Sequence, residues 1–100
     1  MTEAGREAVA GAEHVPTMAG AWVYLLRCAD GSLYTGWTTD VERRVAAHAA
    51  GRASRYTRSR LPVELAAALA MPDRSAARRE EARIKRLSRA AKLELVDRAR

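Results

Sequence analysis

The sequence contains no phenylalanine, one isoleucine, one cysteine and only five aromatic residues in 100. Each shortage excludes something. The single cysteine, Cys28, rules out an intramolecular disulfide and any metal site built on several thiolates. Flanked by strand-like residues, it reads as a small core residue. No apolar run approaches the roughly 18–20 residues that cross a bilayer. Residues 1–20 have no basic stretch followed by an apolar one, so no secretory signal is expected. A cytoplasmic location is the expectation. Hydrophobic residues make up 48%, but 22 of them are alanine. Leu, Ile and Val together number 17, below the roughly 20% line under which a charged chain tends toward disorder. The core must be small. A chain of this length buries only about two-thirds of its unfolded surface, which excludes a large enclosed cofactor cavity.

Arginine is what the chain has in excess. Lys and Arg number 18 against 12 Asp and Glu, for a net charge of +6. The first 20 residues carry one Arg and three Glu, so the remaining 80, with 17 basic and nine acidic residues, hold the whole surplus. Such a balance favours polyanionic partners, nucleic acid first. An Ala- and Arg-rich composition also arises from GC-rich coding, so charge alone does not decide the partner.

Residues 1–20 show no sustained period and read as a flexible leader, with Met18 just before the first patterned segment and His14 given no role. Residues 21–98 read as one domain. Ala21 to Cys28 is aromatic and branched, which suits a buried strand. Asp30-Gly31 is a hairpin signal, and Leu33 to Thr38 reads as the return strand. Gly36 within it removes a side chain where something approaches the backbone. Thr39 with Glu42 forms a capping box for a helix from Asp40 to about Ala50, closed by Gly51. Val41 and Val45 mark its inner face. At about 100° per residue, Arg44 and His48 fall on that face, while Arg43 and Ala47 point away. A long cation and a histidine turned inward break the expected patterning, and such breaks tend to mark functional sites.

Gly51 to Arg60 reads as a loop with four arginines and no carboxylate. Val63 to Met71 has helical propensity, but its short length between Pro62 and Pro72 favours a third strand. Asp73 or Ser75 caps a helix to about Leu87, with Ala77, Ile84 and Leu87 inside. Ser88 caps another through Asp97, with Ala91, Leu95 and Val96 inside. The expected fold is α+β, a small three-stranded antiparallel sheet flanked by about three helices.

Two aromatic motifs stand ten residues apart on the paired strands, Trp22-Val23-Tyr24 and Tyr34-Thr35-Gly36. With Arg44, His48 and a glutamate on a later helix, the chain resembles the GIY-YIG nuclease superfamily, in particular its small stand-alone bacterial members. The resemblance runs from about Ala21 to Val96. It implies catalytic roles for Tyr24, Tyr34, Arg44, His48 and Glu81. Glu80 and Glu81 lie four and three residues before Ile84, so helical spacing does not choose between them; the small-protein pattern of Glu, two residues, apolar, Lys fits Glu81, Ile84 and Lys85. Trp22 stands where the superfamily name has Gly, and Thr35 where it has Ile. Trp37 stands where some relatives carry a lysine.

What the resemblance implies is a metal-dependent endonuclease acting on DNA, RNA not excluded, in repair or processing. Glu81 would hold one Mg²⁺ or Mn²⁺ ion that keeps most of its waters and acts as Lewis acid. Arg44 presents a planar, permanently charged fork to the scissile phosphate. A free tyrosine near pKa 10 is a poor base at neutral pH, so the cationic surroundings must lower it or the tyrosine only orients water. Either tyrosine can serve, and His48 can take or relay the proton. Arg52, Arg55, Tyr56, Arg58, Arg60 and Lys85 are expected to bind nucleic acid, the arginines tracking phosphates and Tyr56 stacking on a base. The alternatives are a non-catalytic nucleic-acid-binding module of the same fold, or a nuclease subunit that needs a protein partner or a second copy to choose its target.

Overall fold

The computed structural model describes residues 19–99. Apart from Ala19 and Gly20, the segment read as a leader lies outside the described residues, as does His14. The elements run β1 (Ala21–Arg27), β2 (Leu33–Thr38), α1 (Val41–Ala49), α2 (Arg55–Arg58), β3 (Glu64–Met71), α3 (Arg74–Lys85) and α4 (Arg89–Arg98). The three strands form one antiparallel sheet in the order β2-β1-β3, the expected α+β architecture. Gly20 already donates its backbone N–H to the Met71 carbonyl at 2.9 Å, so pairing begins one residue before β1.

The central strand is buried on both faces. Along β1, Ala21, Val23 and Leu25 join Ala67 of β3, Ala77 and Ile84 of α3, and Leu95 and Val96 of α4 in the main core. Tyr24 and Leu26, alternating with them, are also fully buried, on the opposite face. This is how a chain with so few large apolar residues builds a core, because one strand serves two layers. Helical propensity in ELAAALAM loses to pairing with β1, since the strand's backbone groups are satisfied along the whole length of that partner. A register shift opposite Leu25 and Leu26 leaves Ala66 as a bulge.

The turns follow the local chemistry. Asp30 accepts from the Ser32 N–H at 3.0 Å and the Ser32 hydroxyl at 2.6 Å, and Gly31 takes φ 84°. Helix α1 ends with both bonds of the Schellman motif, from Gly51 N–H to the His48 carbonyl and from Arg52 N–H to the Ala47 carbonyl, with Gly51 at φ 76°. Asp73 and Ser88 cap α3 and α4.

Two expectations need correction. The N-cap of α1 is Asp40, whose carboxylate accepts from Arg43 N–H at 3.1 Å, and not Thr39. Strand β2 stays paired through Thr38, so Thr39 turns the chain, and the charged Asp40 meets the positive end of the helix. The segment 51–60 is not wholly loop. Ser54 caps a single helical turn, α2, by accepting from Thr57 N–H at 3.1 Å.

Thr35, opposite Leu25 on the core face, buries its hydroxyl with no hydrogen-bond partner among the described residues. An unpaired buried hydroxyl costs about 1–3 kcal/mol. Thr35→Val keeps the shape and removes that cost. The expected result is a higher urea midpoint with an unchanged slope, and a lower midpoint would show that the hydroxyl is satisfied.

Candidate functional site

The register of the first two strands assembles the aromatic pair. Tyr24 lies opposite Gly36, and Tyr34 lies opposite Leu26. Both tyrosines therefore face away from the α3–α4 core on a diagonal, with ring centroids 6.5 Å apart. A side chain at position 36 would overlap the hydroxyl and ring of Tyr24. Gly36 is thus the gap into which the Tyr24 ring leans, the close approach its place in the strand predicts.

Helix α1 delivers the next two groups to the same face. His48 is completely buried, and its Nε2 is 2.8 Å from the Tyr24 hydroxyl. Its ring meets Tyr24 edge-on at 5.6 Å and Tyr34 at 5.1 Å between centroids. Arg44, one turn earlier, remains exposed as a residue, yet its Nε–H reaches the Tyr24 oxygen at 3.4 Å. The face that patterning selects is correct for both residues, and Arg43 is exposed. Ala47 is half-buried rather than turned away.

The far side of His48 meets residues that sequence reading left out. Its Nδ1 is 2.8 Å from the Thr57 hydroxyl, which is itself buried and 3.0 Å from the Ser54 hydroxyl. The signal available for them was the Ser-x-x-Thr spacing of a helical cap inside a segment otherwise dominated by arginine.

Electrostatics separate the two ring systems. Burial pushes the Tyr24 hydroxyl above its ordinary value of 10, and this outweighs the hydrogen bond and positive charge of Arg44. The charges of Tyr34 and Glu81 push in the same direction as burial. At Tyr24 desolvation thus outweighs the lowering by Arg44. Burial, and then the Arg44 charge, hold His48 below its ordinary 6.5. His48 is accordingly neutral at pH 7.

The two glutamates of α3 differ in their partners. Glu80 is tied to Arg83 by two hydrogen bonds, at 2.9 and 2.7 Å, which hold its carboxyl below the usual range. Glu81 faces the Lys85 ammonium at 3.4 Å, and its charge bears on Tyr24. Lys85 is thus Glu81's partner on the helix. Among the described residues no group of three or more His, Cys, Asp or Glu side chains is placed to hold a metal ion.

Of the arginine-rich segment, Arg52, Arg55 and Arg58 are exposed. Tyr56 and Arg60 are engaged within the fold. Tyr56 stacks with Tyr34 at 5.8 Å, and the Arg60 guanidinium covers the Tyr56 ring at 3.8 Å. Arg60 also pairs with Asp30 at 3.0 Å. Tyr56 is thus already engaged by Tyr34 and Arg60, and Arg60 braces the ladder His48–Tyr34–Tyr56. A shallow open concavity of about 370 Å³, lined by Trp22, Thr39, Asp40, Val41 and Ala68, lies beside the start of α1.

Gly36→Ala is expected to displace the Tyr24 ring and to destabilise the fold by about 1–3 kcal/mol, the usual cost of overpacking, measured by chemical unfolding. The pH dependence of stability follows from His48. The folded protein binds this proton less tightly than the unfolded chain does. Its contribution is therefore complete above about pH 6.5 and is lost as pH falls through the lower folded value. Urea midpoints between pH 7.5 and 5 should fall in the native protein and fall less in His48→Gln.

Comparison with known proteins agrees with this architecture. The family model described as the GIY-YIG catalytic domain matches residues 20–94. A UPF0213 protein of Natronomonas pharaonis is 56% identical over 75 residues, 75% of this chain and 88% of its own. One of Halalkalibacterium halodurans is 51% identical over 75 residues, 75% of this chain and 80% of its own. The solution NMR structure of a UPF0213 protein from Bacillus halodurans matches with a TM-score of 0.51 at 49% identity, over 77% of this chain and 82% of that one. With the match covering the whole sheet, α1 to α3 and the first part of α4, the chain belongs to the GIY-YIG family of nuclease domains.

Proposed function

We propose that this protein is a metal-dependent endonuclease that hydrolyses phosphodiester bonds in DNA, in a repair or processing role. The observation that carries the reading is the 2.8 Å contact between the Tyr24 hydroxyl and neutral His48, with Arg44 on the same oxygen. A structural tyrosine needs one partner. Here a proton acceptor and a permanent cation converge on it.

The raised Tyr24 means that no phenolate stands ready at pH 7. The proton therefore moves as the reaction proceeds. His48 Nε2 takes the Tyr24 proton while the Tyr24 oxygen takes one from the attacking water. The hydroxide so formed attacks phosphorus, and the bond to the leaving oxygen breaks in line. Arg44 offsets the charge that grows on the phosphoryl oxygens. Tyr34 packs against His48 and holds the ring in place.

The single carboxylate of Glu81, one-fifth exposed, suits a hard divalent ion that keeps most of its waters, as Mg²⁺ does and Mn²⁺ can. Once bound, such an ion supplies charge neutralisation at the phosphate and the leaving oxygen. Lys85, which pairs with Glu81 on the helix, is a further cation for the nucleic-acid backbone. Arg52, Arg55 and Arg58 supply sequence-independent phosphate contacts. No helix among the described residues is long and apolar enough to cross a membrane.

The test is nicking of supercoiled, branched and single-stranded DNA, with RNA in parallel, in Mg²⁺ and in Mn²⁺. Arg44→Ala, Glu81→Ala and Tyr24→Phe are each expected to lower the rate by about 10²–10⁴-fold with unchanged circular dichroism. Salt-sensitive binding without products in either metal would instead establish a binding module. Activity that appears only with a second protein would establish a subunit.

A further inference from the structure

Helix α2 is four residues long and exposes most of what it carries, yet its Thr57 is completely buried against His48. We infer that Thr57 is a positioning residue: its hydroxyl, held by Ser54, fixes the tautomer of His48 so that Nε2 stays open to the Tyr24 proton. This rests on the proton transfer proposed above.

The assignment follows from counting donors. The Tyr24 oxygen accepts from Arg44 Nε–H at 3.4 Å, and His48 Nε2, 2.8 Å away, is the one acceptor among the described residues for the phenol's own hydrogen. A neutral imidazole carries one N–H. With Nε2 accepting, that N–H is on Nδ1, aimed at the Thr57 oxygen 2.8 Å away. Thr57 can accept it because its own hydrogen goes to the Ser54 hydroxyl oxygen at 3.0 Å. Ser54 is in turn fixed by the N–H of Thr57, which it caps at 3.1 Å. The phenol, both imidazole nitrogens and the Thr57 hydroxyl then each have a partner. The other tautomer aims two N–H groups at the Tyr24 oxygen and strips its buried hydroxyl of an acceptor, at a cost of about 1–3 kcal/mol.

The groups around the ring explain why a hydroxyl stands here. Tyr24 from β1, Tyr34 from β2 and Arg44 from α1 face His48, and α2 contributes Thr57. The hydrogen-bonding partner at Nδ1 is uncharged, so it orients the ring without stabilising the imidazolium. A carboxylate in its place would favour a charged histidine, which has no free Nε2.

The experiment is ¹⁵N-histidine NMR at pH 7.5 alongside the nicking assay. Native His48 should carry its proton on Nδ1. Thr57→Val should raise the Nε2–H population and lower nicking roughly 10–100-fold, the range seen when a metal-bound histidine loses its outer hydrogen-bond partner. Thr57→Ser should retain the native values of both. Ser54→Ala, which frees the Thr57 hydrogen to point at Nδ1, should also raise Nε2–H. A native His48 protonated on Nε2 overturns the inference without recourse to any variant, as does a folded Thr57→Val with native tautomer and rate. A native protein that cuts no nucleic acid overturns the proposed function, while the tautomer shifts still decide the role of Thr57.

Discussion

The hydrogen bond between Tyr24 and His48 constrains almost everything around it. It joins the central strand to α1 inside a buried layer, where a polar pair is costly unless its donors and acceptors are met. Tyr24 therefore needs the gap at Gly36, and its position opposite that glycine follows from the hairpin that Asp30 and Gly31 set. His48 needs a partner on its other nitrogen. The chain supplies one by ending α1 at Gly51 and folding back into α2, which places Thr57 at 2.8 Å. Hairpin, glycine, helix end and helical turn are four local features that serve one buried contact.

The arginine surplus resolves into residues with different tasks. Arg44 reaches the site. Arg60 is held by Asp30 and covers Tyr56, Arg83 is bound to Glu80, and Arg89 donates to the Gly31 carbonyl at 2.7 Å across the hairpin. These three brace the fold. Arg52, Arg55 and Arg58 stay exposed on the segment that carries Tyr56 and Thr57, and exposed positive charge suits a phosphate backbone. A net charge of +6 is thus a sum over braces, a site group and a surface, and only the last two bear on a polyanionic partner.

Much of the fold is legible locally. Alternation, the Asp-Gly turn, Gly51 past the end of α1, and Ser88 before α4 each carry enough short-range chemistry to predict the element. Strand β3 is legible only from its proline brackets, because Ala and Leu favour a helix and the pairing that overrides them is with β1, some forty residues away. The cap of α1 is misread by one residue. Thr39 and Asp40 are both good caps, and the choice falls to how far β2 stays paired. In the site, the inward face of α1 follows from helical period alone. Thr57 does not, because a hydroxyl among arginines looks like any loop residue until the loop is folded against His48.

The sequence by itself determined the order of elements apart from α2, the two tyrosines on paired strands, and the face of α1 that carries Arg44 and His48. These depend on periods of two and 3.6 residues and on turn chemistry, which act over a few bonds. Only the tertiary structure decided which groups meet and in what protonation state. It set the charge of Glu81 to bear on Tyr24 and brought Thr57 to His48. It also raised Tyr24 where its cationic neighbours alone would lower it, because desolvation depends on everything packed around a group and no run of residues encodes that enclosure.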